Sequence, residues 1–341
     1  MADLSQQIEA FLRNALKAKK LEDRLIRQAL RDLHTTLAAV ERVVGQSGVL
    51  AVGPNRERTI AAISAAVARS VQESFGVPQL AALQEALAPF VEKQLEFARS
   101  MVTMAGGDLS AQGAANTSAA QVQRIVNDAV VGGKTLSTQL TQTLPAAVAD
   151  RVERFIRLGL SDIGGETFAT YDDAVVRVTA NNVEAIIRTG VHEVGNAAQQ
   201  AIYAFESDPE WLGPDGLVWT AVLDSSVCPI CLKLDGKRFP ADYQKVSPHM
   251  QCRCYLVPWK WRNQDMTDPS GNPVAPQRVA NGDGPEAALN FKVAAKQWVQ
   301  DNPETAQAIF GKKLGQQLVD GQISFDKAVK LWSAPKKSAA T

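Results

Sequence analysis

Apolar residues recur at steps of three and four along most of residues 1–205, the pattern of amphipathic helices. Over residues 4–44, Ile26, Leu30, Leu33, Leu37, Val40 and Val44 alternate steps of four and three. That predicts one long helix with a coiled-coil-like seam. The stretch from Gly45 to Pro54 interrupts it. Ile60, Ile63, Val67, Val71 and Phe75 predict a second helix, ended by Gly76 and Pro78. Leu80, Leu83, Leu87, Val91 and Leu95 predict a third, with Pro89 as a candidate kink. Residues 105–120 are mostly Gly, Ala, Ser, Thr and Asn and read as a loop. Helices are expected again at 118–132 and 145–160. After Thr170-Tyr-Asp-Asp, in which either Asp is a candidate N-cap, another long helix is expected. Its apolar face would carry Val176, Ala180, Val183, Ile187, Val191, Val194, Ala198, Ile202 and Phe205.

The pattern changes after residue 205. Residues 206–262 hold short β-type runs such as Val218-Trp-Thr-Ala-Val222, four of the six tryptophans and all four cysteines. Residues 263–285 are rich in Pro, Gly, Asn and Asp, which suits a linker or extended loop. Helical spacing returns in the tail at 286–341, with Asn302-Pro303 and Ser324 as helix starts and Gly311, Gly315 and Gly321 as punctuation. Four segments are therefore expected: a helical domain at 1–205, a cysteine module at 206–262, a linker at 263–285 and a helical tail at 286–341.

Charge removes some function classes. The 341 residues carry 36 basic and 36 acidic side chains, so no global attraction to nucleic acid or to an anionic membrane is indicated. No run approaches the roughly 20 apolar residues of a membrane span. The first residues carry Asp3 and Glu9 and no apolar core, so no secretory signal is expected. Synthesis in a reducing host cytoplasm follows, and there clustered cysteines favour metal over disulfides.

The cysteines are spaced for a metal. Cys228-Pro-Ile-Cys231 forms a knuckle that points two thiolates into one hollow. After seventeen intervening residues comes His249-Met-Gln-Cys252-Arg-Cys254. Zinc takes four N or S ligands in a tetrahedron, so five candidates, Cys228, Cys231, His249, Cys252 and Cys254, compete for four positions. A Cys-x-Cys on a regular strand points both thiols to one face, while His249 and Cys252 could form a second knuckle-like pair. Spacing leaves open whether His249 or one of Cys252 and Cys254 is surplus. Structural rather than catalytic Zn2+ is expected, because no His-Glu pair stands nearby to serve an open metal site. The Asp235-Gly turn reads as a hairpin between strands. The module has few apolar residues of its own, and a metal staple would supply folding energy. The fold class expected is mainly α-helical with a small zinc-stapled α+β module near 206–262.

These motifs also carry a resemblance. Trp219-Thr-Ala-Val-Leu-Asp224, then Cys228-Pro-Ile-Cys231, Asp235-Gly-Lys-Arg-Phe239 and Ser247-Pro-His249-Met-Gln-Cys252-Arg-Cys254 resemble the core of the Mu F-like head morphogenesis proteins, the minor head proteins of tailed phages. In that family Pro stands one residue further from the His than Pro248 does here. Upstream, Ile187-Arg188-Thr189 and Asn196 resemble the family's helix with an Arg-Thr-Glu and a later Asn, with Gly190 in place of the Glu. Downstream, Trp298-Val-Gln-Asp-Asn-Pro303, Gly311-Lys-Lys and Asp320-Gly-Gln-Ile-Ser324 resemble its tail, with Phe310 in place of a Leu. The resemblance spans about residues 175–330 and leaves the first 170 unmatched. It implies a non-enzymatic virion protein near the portal, in contact with the portal or major capsid protein.

Other chemistry weighs less. Asp224 and Asp235 read as strand-end and turn residues rather than a catalytic pair, and Asp224 is a candidate hydrogen-bond partner for the knuckle or for a zinc-ligating histidine. Arg188 reads as a partner in an interhelical or surface ion pair, with a tie to the zinc module as the functional alternative. His34 and His192 read as ordinary helix residues. Trp211, Trp219, Trp259 and Trp261 read as apolar cover more than as base-stacking platforms. Lys233, Lys237, Arg238, Lys245, Arg253, Lys260 and Arg262 make residues 228–262 locally basic. This reads first as compensation for thiolates, and second as contact with packaged DNA through phosphates. A zinc-dependent DNA-binding or nuclease protein is the alternative function. The helical seam over 4–44 is a surface for self-association or for packing within its own bundle.

Overall fold

The first long apolar seam forms a single helix, α1, at Leu4–Gln46. The computed structural model describes residues 4–46, 55–104, 109, 119–158, 171–203, 212, 216–223, 227–240, 242–243, 245, 247–259, 266–267, 273–274, 277–279, 288–290 and 295–333. Helices dominate these residues. They fall into two compact units, one of Ala18–Val91 and Ser118–Val194, the other of Met1–Lys17, Glu92–Thr117 and Gly195–Thr341.

In the first unit the seam of α1 is buried at Ile26, Leu33, Leu37 and Val40. The second and third expected helices form, but Gly76 and Pro78 do not separate them. Helix α2 (Arg56–Val71) runs through a π turn at Gln72–Gly76 directly into α3 (Val77–Met104). The Val77 N–H bonds to the Gln72 carbonyl, the i→i−5 bond of a π turn. That wider turn takes up the chain where Pro78 offers no N–H. Gly76 is there for packing: a Cβ on it would lie 2.5 Å from the Leu140 carbonyl oxygen. Pro89 lies within α3.

Helix α4 (Ala119–Asp128) ends before a two-residue hairpin that helical spacing did not reveal. Strands β1 (Val130–Val131) and β2 (Lys134–Thr135) pair antiparallel around Gly132 and Gly133. Both glycines have positive φ, 56° and 78°, as the tight hairpin turn requires. The chain continues as α5 (Leu136–Thr138), a π turn at Gln139–Thr143 and α6 (Leu144–Leu158), and α6 packs along α2. Helix α7 (Arg177–Ala201) follows a third π turn at Asp172–Val176. Asp172 and Asp173 therefore sit inside the first helical turn and are not N-caps.

The second unit holds the cysteines. Strands β3 (Leu217–Thr220), β4 (Arg238–Phe239) and β5 (Tyr255–Pro258) form an antiparallel sheet in the order β4-β3-β5. Val218 pairs with Val257 and with Arg238. One face of this sheet is covered from outside the module, since Val218 and Val257 pack with Met101 and Phe97 of α3. The module thus borrows apolar surface that its own sequence lacks. Between β3 and β4 lies α8 (Pro229–Leu234). Asp235-Gly236 consequently turns a helix into a strand and does not join two strands. Gly236 has φ 80°, its N–H bonds the Trp219 carbonyl at 2.9 Å, and Asp235 Oδ1 accepts from Ala221 N at 3.0 Å.

Within 263–285, residues expected to be linker, the described positions include three short strands, β6 (Met266–Thr267), β7 (Pro273–Val274) and β8 (Gln277–Val279). β6 pairs β7, and β8 pairs β9 (Ala288–Asn290). Four short helices follow: α9 (Ala295–Asp301), α10 (Pro303–Phe310), α11 (Lys312–Val319) and α12 (Phe325–Ser333). Asn302 precedes Pro303 at the first helical position of α10, and Ser324 Oγ accepts from Lys327 N at 3.3 Å at the start of α12. Both starts match the sequence reading. Helices α9 and α12 pack on α8.

Candidate metal centre

The knuckle begins with backbone geometry. Cys228 is the N-cap of α8, with extended φ −85° and ψ 152°, and its Sγ accepts from Cys231 N at 3.3 Å. Pro229 occupies the first turn, where no N–H is needed. One helical turn then places Cys231 beside Cys228. The second half of the site arrives on a turn. Gln251 adopts φ 65°, a left-handed conformation uncommon outside glycine. It reverses the chain between His249 and Cys252, so that the imidazole and the thiols meet. Cys252 and Cys254 lie in the extended segment entering β5 and are 1% and 2% exposed.

All five sequence candidates come together. Cys228, Cys231 and His249 offer ligand atoms within 4.8 Å of one another, and so do Cys231, Cys252 and Cys254. Cys231 belongs to both triads. Its Sγ lies 3.1 Å from His249 Nε2 and 3.7 Å from Cys252 Sγ. Two thiolates on one tetrahedral zinc, each at about 2.3 Å, would stand about 3.8 Å apart. The Cys231–Cys252 separation is of that size. His249 Nδ1 lies 2.6 Å from the Met250 carbonyl oxygen, the partner that orients a ligating imidazole and leaves Nε2 for a metal. The donor set of thiols and one imidazole therefore fits a borderline-soft divalent ion such as zinc.

The protein alone sets up this charge pattern. The hydrogen bond from the Cys231 thiol, helped by His249, draws Cys228 down to about 5. Cys252 is pulled far below the ordinary thiol range by hydrogen bonds from Cys231 and Cys254. Cys231, the donor to its neighbours, and Cys254, which is fully buried, are pushed up. His249 is raised to about 10 by its hydrogen bonds to Cys228 and Cys252. Any protonated thiol that takes a metal here must give up its proton.

Helix α7 supports the centre through a residue to which spacing gave no role. Asn196 Nδ2 donates to the Cys254 carbonyl at 3.1 Å, and both residues are buried. One turn later Gln200 Nε2 donates to the Tyr243 carbonyl at 2.7 Å, while Gln200 Oε1 accepts from Lys245 N at 3.4 Å. The signal in the sequence was Asn196 itself, standing in the same motif as Arg188. Arg188 has a different duty. Its Nε lies 2.5 Å from Glu22 Oε1 and its guanidinium bonds Glu184 at 2.8 Å, within the first unit. His192 is more than an ordinary helix residue, because its Nε2 lies 3.2 Å from Glu22 Oε2. Burial would raise the Glu22 carboxyl, but the bonds and charges of His192 and Arg188 outweigh burial and lower it. Gly190 packs against Leu136 and Val131, where a Glu would be buried among apolar side chains.

Trp219 is 1% exposed and serves as core. Trp259 is half-buried beneath Arg238, whose guanidinium carbon lies 3.5 Å from the ring centroid. His34 is exposed on α1. Asp224, Trp211, Trp261, Lys260 and Arg262 lie outside the described residues.

Residues 120–257 match the model of the phage Mu protein F like protein family. The resemblance carried by the motifs from Arg188 to Cys254 is thereby borne out; the match extends upstream into α4 and the β1–β2 hairpin, and it ends before the tail motifs from Trp298 to Ser324. No curated protein and no solved structure matches the chain. Among the described residues, no helix is long and apolar enough to cross a membrane.

Proposed function

We propose that this chain is a structural minor head protein of a tailed phage, acting in head assembly near the portal vertex and present in the virion. The observation that carries the reading is the family match over 120–257, with the whole cysteine motif from Trp219 to Cys254 inside it. The centre holds one structural Zn2+ by four of Cys228, Cys231, His249, Cys252 and Cys254, and so pins α8 and the 249–254 turn together. When bound, the ion supplies folding energy to a small module. Cys228 and Cys231 present the knuckle, Asn196 holds the Cys254 backbone, and α3 contributes the apolar cover. The chain acts by architecture rather than catalysis. Its partners are the portal and the major capsid protein.

Two measurements test this. Metal analysis of the purified protein by mass spectrometry should give one zinc per chain, and substoichiometric zinc would remove the staple. Cross-linking of intact particles, followed by mapping of linked peptides, should place the chain beside the portal. Absence from purified particles would overturn the head-protein reading. Packaged DNA is a further partner, supported by the exposed Lys233, Lys237 and Arg238 on and beside α8 and β4. Such contact should weaken steeply with salt, and a flat salt response would exclude it.

A further inference from the structure

The chain as a whole is charge-neutral, but the outer face of α1 is not. Lys20, Arg24, Arg27 and Arg31 follow one another at steps of four, three and four. At 3.6 residues per turn they fall within about 60° of the helix circumference, in one row about 16 Å long. All four are exposed. The opposite side of the same turns is buried, at Glu22, Ile26, Ala29 and Leu33. Nearby acids do not neutralise the row. Glu22 points into the fold, where Arg188 and His192 hold it. Asp23 lies off the row by its position on the helix, and Asp32 bonds the Gln28 amide at 3.0 Å. Arg31 donates to the neutral Gln28 Oε1 at 2.5 Å. Among the described residues, none of the four is ion-paired.

The chemistry of such a row selects its partner. A helix that lies on a membrane sinks an apolar face into the lipid, and the apolar face of α1 is already buried in the core. A protein partner is anchored by apolar or aromatic side chains at the centre of its interface, and between residues 20 and 31 the arc of this row holds none. Duplex nucleic acid needs no apolar anchor. It offers one phosphate per roughly 1.7 Å of axis, about ten over the length of this row, and it is bound through release of counterions. We propose that the outer face of α1 is a sequence-independent binding site for duplex nucleic acid, with Lys20, Arg24, Arg27 and Arg31 each set against a phosphate. The site uses none of the basic residues beside the metal centre and needs no metal.

The test is fluorescence anisotropy of the full chain with two labelled DNA duplexes of unrelated sequence, in KCl from about 50 to 200 mM. Four phosphate contacts give a slope of about −3.6 in log affinity against log salt, a loss of roughly 150-fold over that range. Both duplexes should bind alike. Arg24→Gln with Arg27→Gln should lower the magnitude of the slope by about two, since each phosphate contact carries about one unit. Lys20→Gln with Arg31→Gln should do the same. Arg24→Lys with Arg27→Lys keeps the charges and should bind as wild type does. Arg, Lys and Gln have similar helix propensity and these positions are exposed, so circular dichroism should show all variants folded. No binding at the lowest salt, or a slope unchanged by both Gln pairs, overturns the proposal. So does a salt response that disappears only when Lys233, Lys237 and Arg238 are replaced by Gln, which would put the contact beside the metal centre. Tighter binding of polyglutamate than of duplex, charge for charge, would assign the row to an acidic protein and overturn it too. Absence of the chain from purified particles would count against the head-protein reading and leave this one standing.

Discussion

Replacing Asn196 by Ala separates a residue that merely packs from one that serves the metal centre. The side chain is 5% exposed and its amide donates to the Cys254 carbonyl at 3.1 Å. Removing the donor leaves a buried carbonyl unsatisfied, which costs about 1–3 kcal/mol. That carbonyl belongs to a candidate ligand, so the loss should fall mainly on the form in which Cys254 is held in place. At about 1.4 kcal/mol per factor of ten, zinc should bind roughly 5- to 100-fold more weakly. Asn196→Asp should be worse, because a carboxylate cannot donate and would face the Cys254 carbonyl oxygen. The assay is competition with a chromogenic chelator, together with thermal melting in zinc and in chelator. A zinc affinity for Asn196→Ala within two-fold of wild type, with equal loss of stability in both forms, would refute the reasoning. Asn196 would then be a packing residue.

Three further outcomes follow from the same structure. Arg188→Met strands the buried Glu22 carboxylate with His192 alone, and should cost about 2–3 kcal/mol at neutral pH, below the usual 3–5 because Arg188 is a quarter exposed. Since Glu22 is lowered in the fold, its stabilisation is present above the ordinary carboxylate pKa and is lost as pH falls through the lowered value. Urea unfolding should therefore show wild type and variant converging in acid, and a gap independent of pH would contradict the ion-pair account. Gly76→Ala pushes a Cβ to 2.5 Å from the Leu140 carbonyl oxygen, so about 1–2 kcal/mol should be lost despite a gain in helix propensity; denaturation showing a net gain would deny the close crossing. Chelation should loosen α8 and with it α9 and α12, which pack on it, so limited proteolysis should cut within residues 295–333 faster without metal, and an unchanged digest would speak against that coupling.

Periodicity read the helices well because burial is one-sided. The seam residues Leu33 and Leu37 of α1, and Val67 and Val71 of α2, are fully or nearly fully buried. It failed where backbone geometry, not side-chain pattern, decides. Gly76 and Pro78 look like a helix end, yet a π turn carries the helix through them. The hairpin at 130–135 was legible in principle, since two glycines between β-branched residues are a turn signal. Its strands are two residues long, too short for an alternation to register. The Asp235-Gly turn was read correctly as a turn and wrongly as a hairpin, because a six-residue helix before it has no room to show a period. The five metal candidates were legible from spacing alone. Their support from Asn196, Gln200 and α3 was not, since those contacts join residues far apart in the chain.

The buried polar side chains point the same way as the family match. Around the cysteines, Asn196, Lys245, Ser247 and Thr220 are each buried. Asn196 is bonded to backbone, Lys245 to Ser247, and Asp235 to the Ala221 amide. Such bonds fix the loops around the cysteines. The centre lies at the meeting of a six-residue helix, a turn through Gln251 and a three-stranded sheet. A metal there would add folding energy to a small assembly. The architectural reading therefore rests on two independent lines. The family match bears on what the chain is for, and the energetics explain why its most distinctive residues should be sulfurs and one imidazole gathered around a single point.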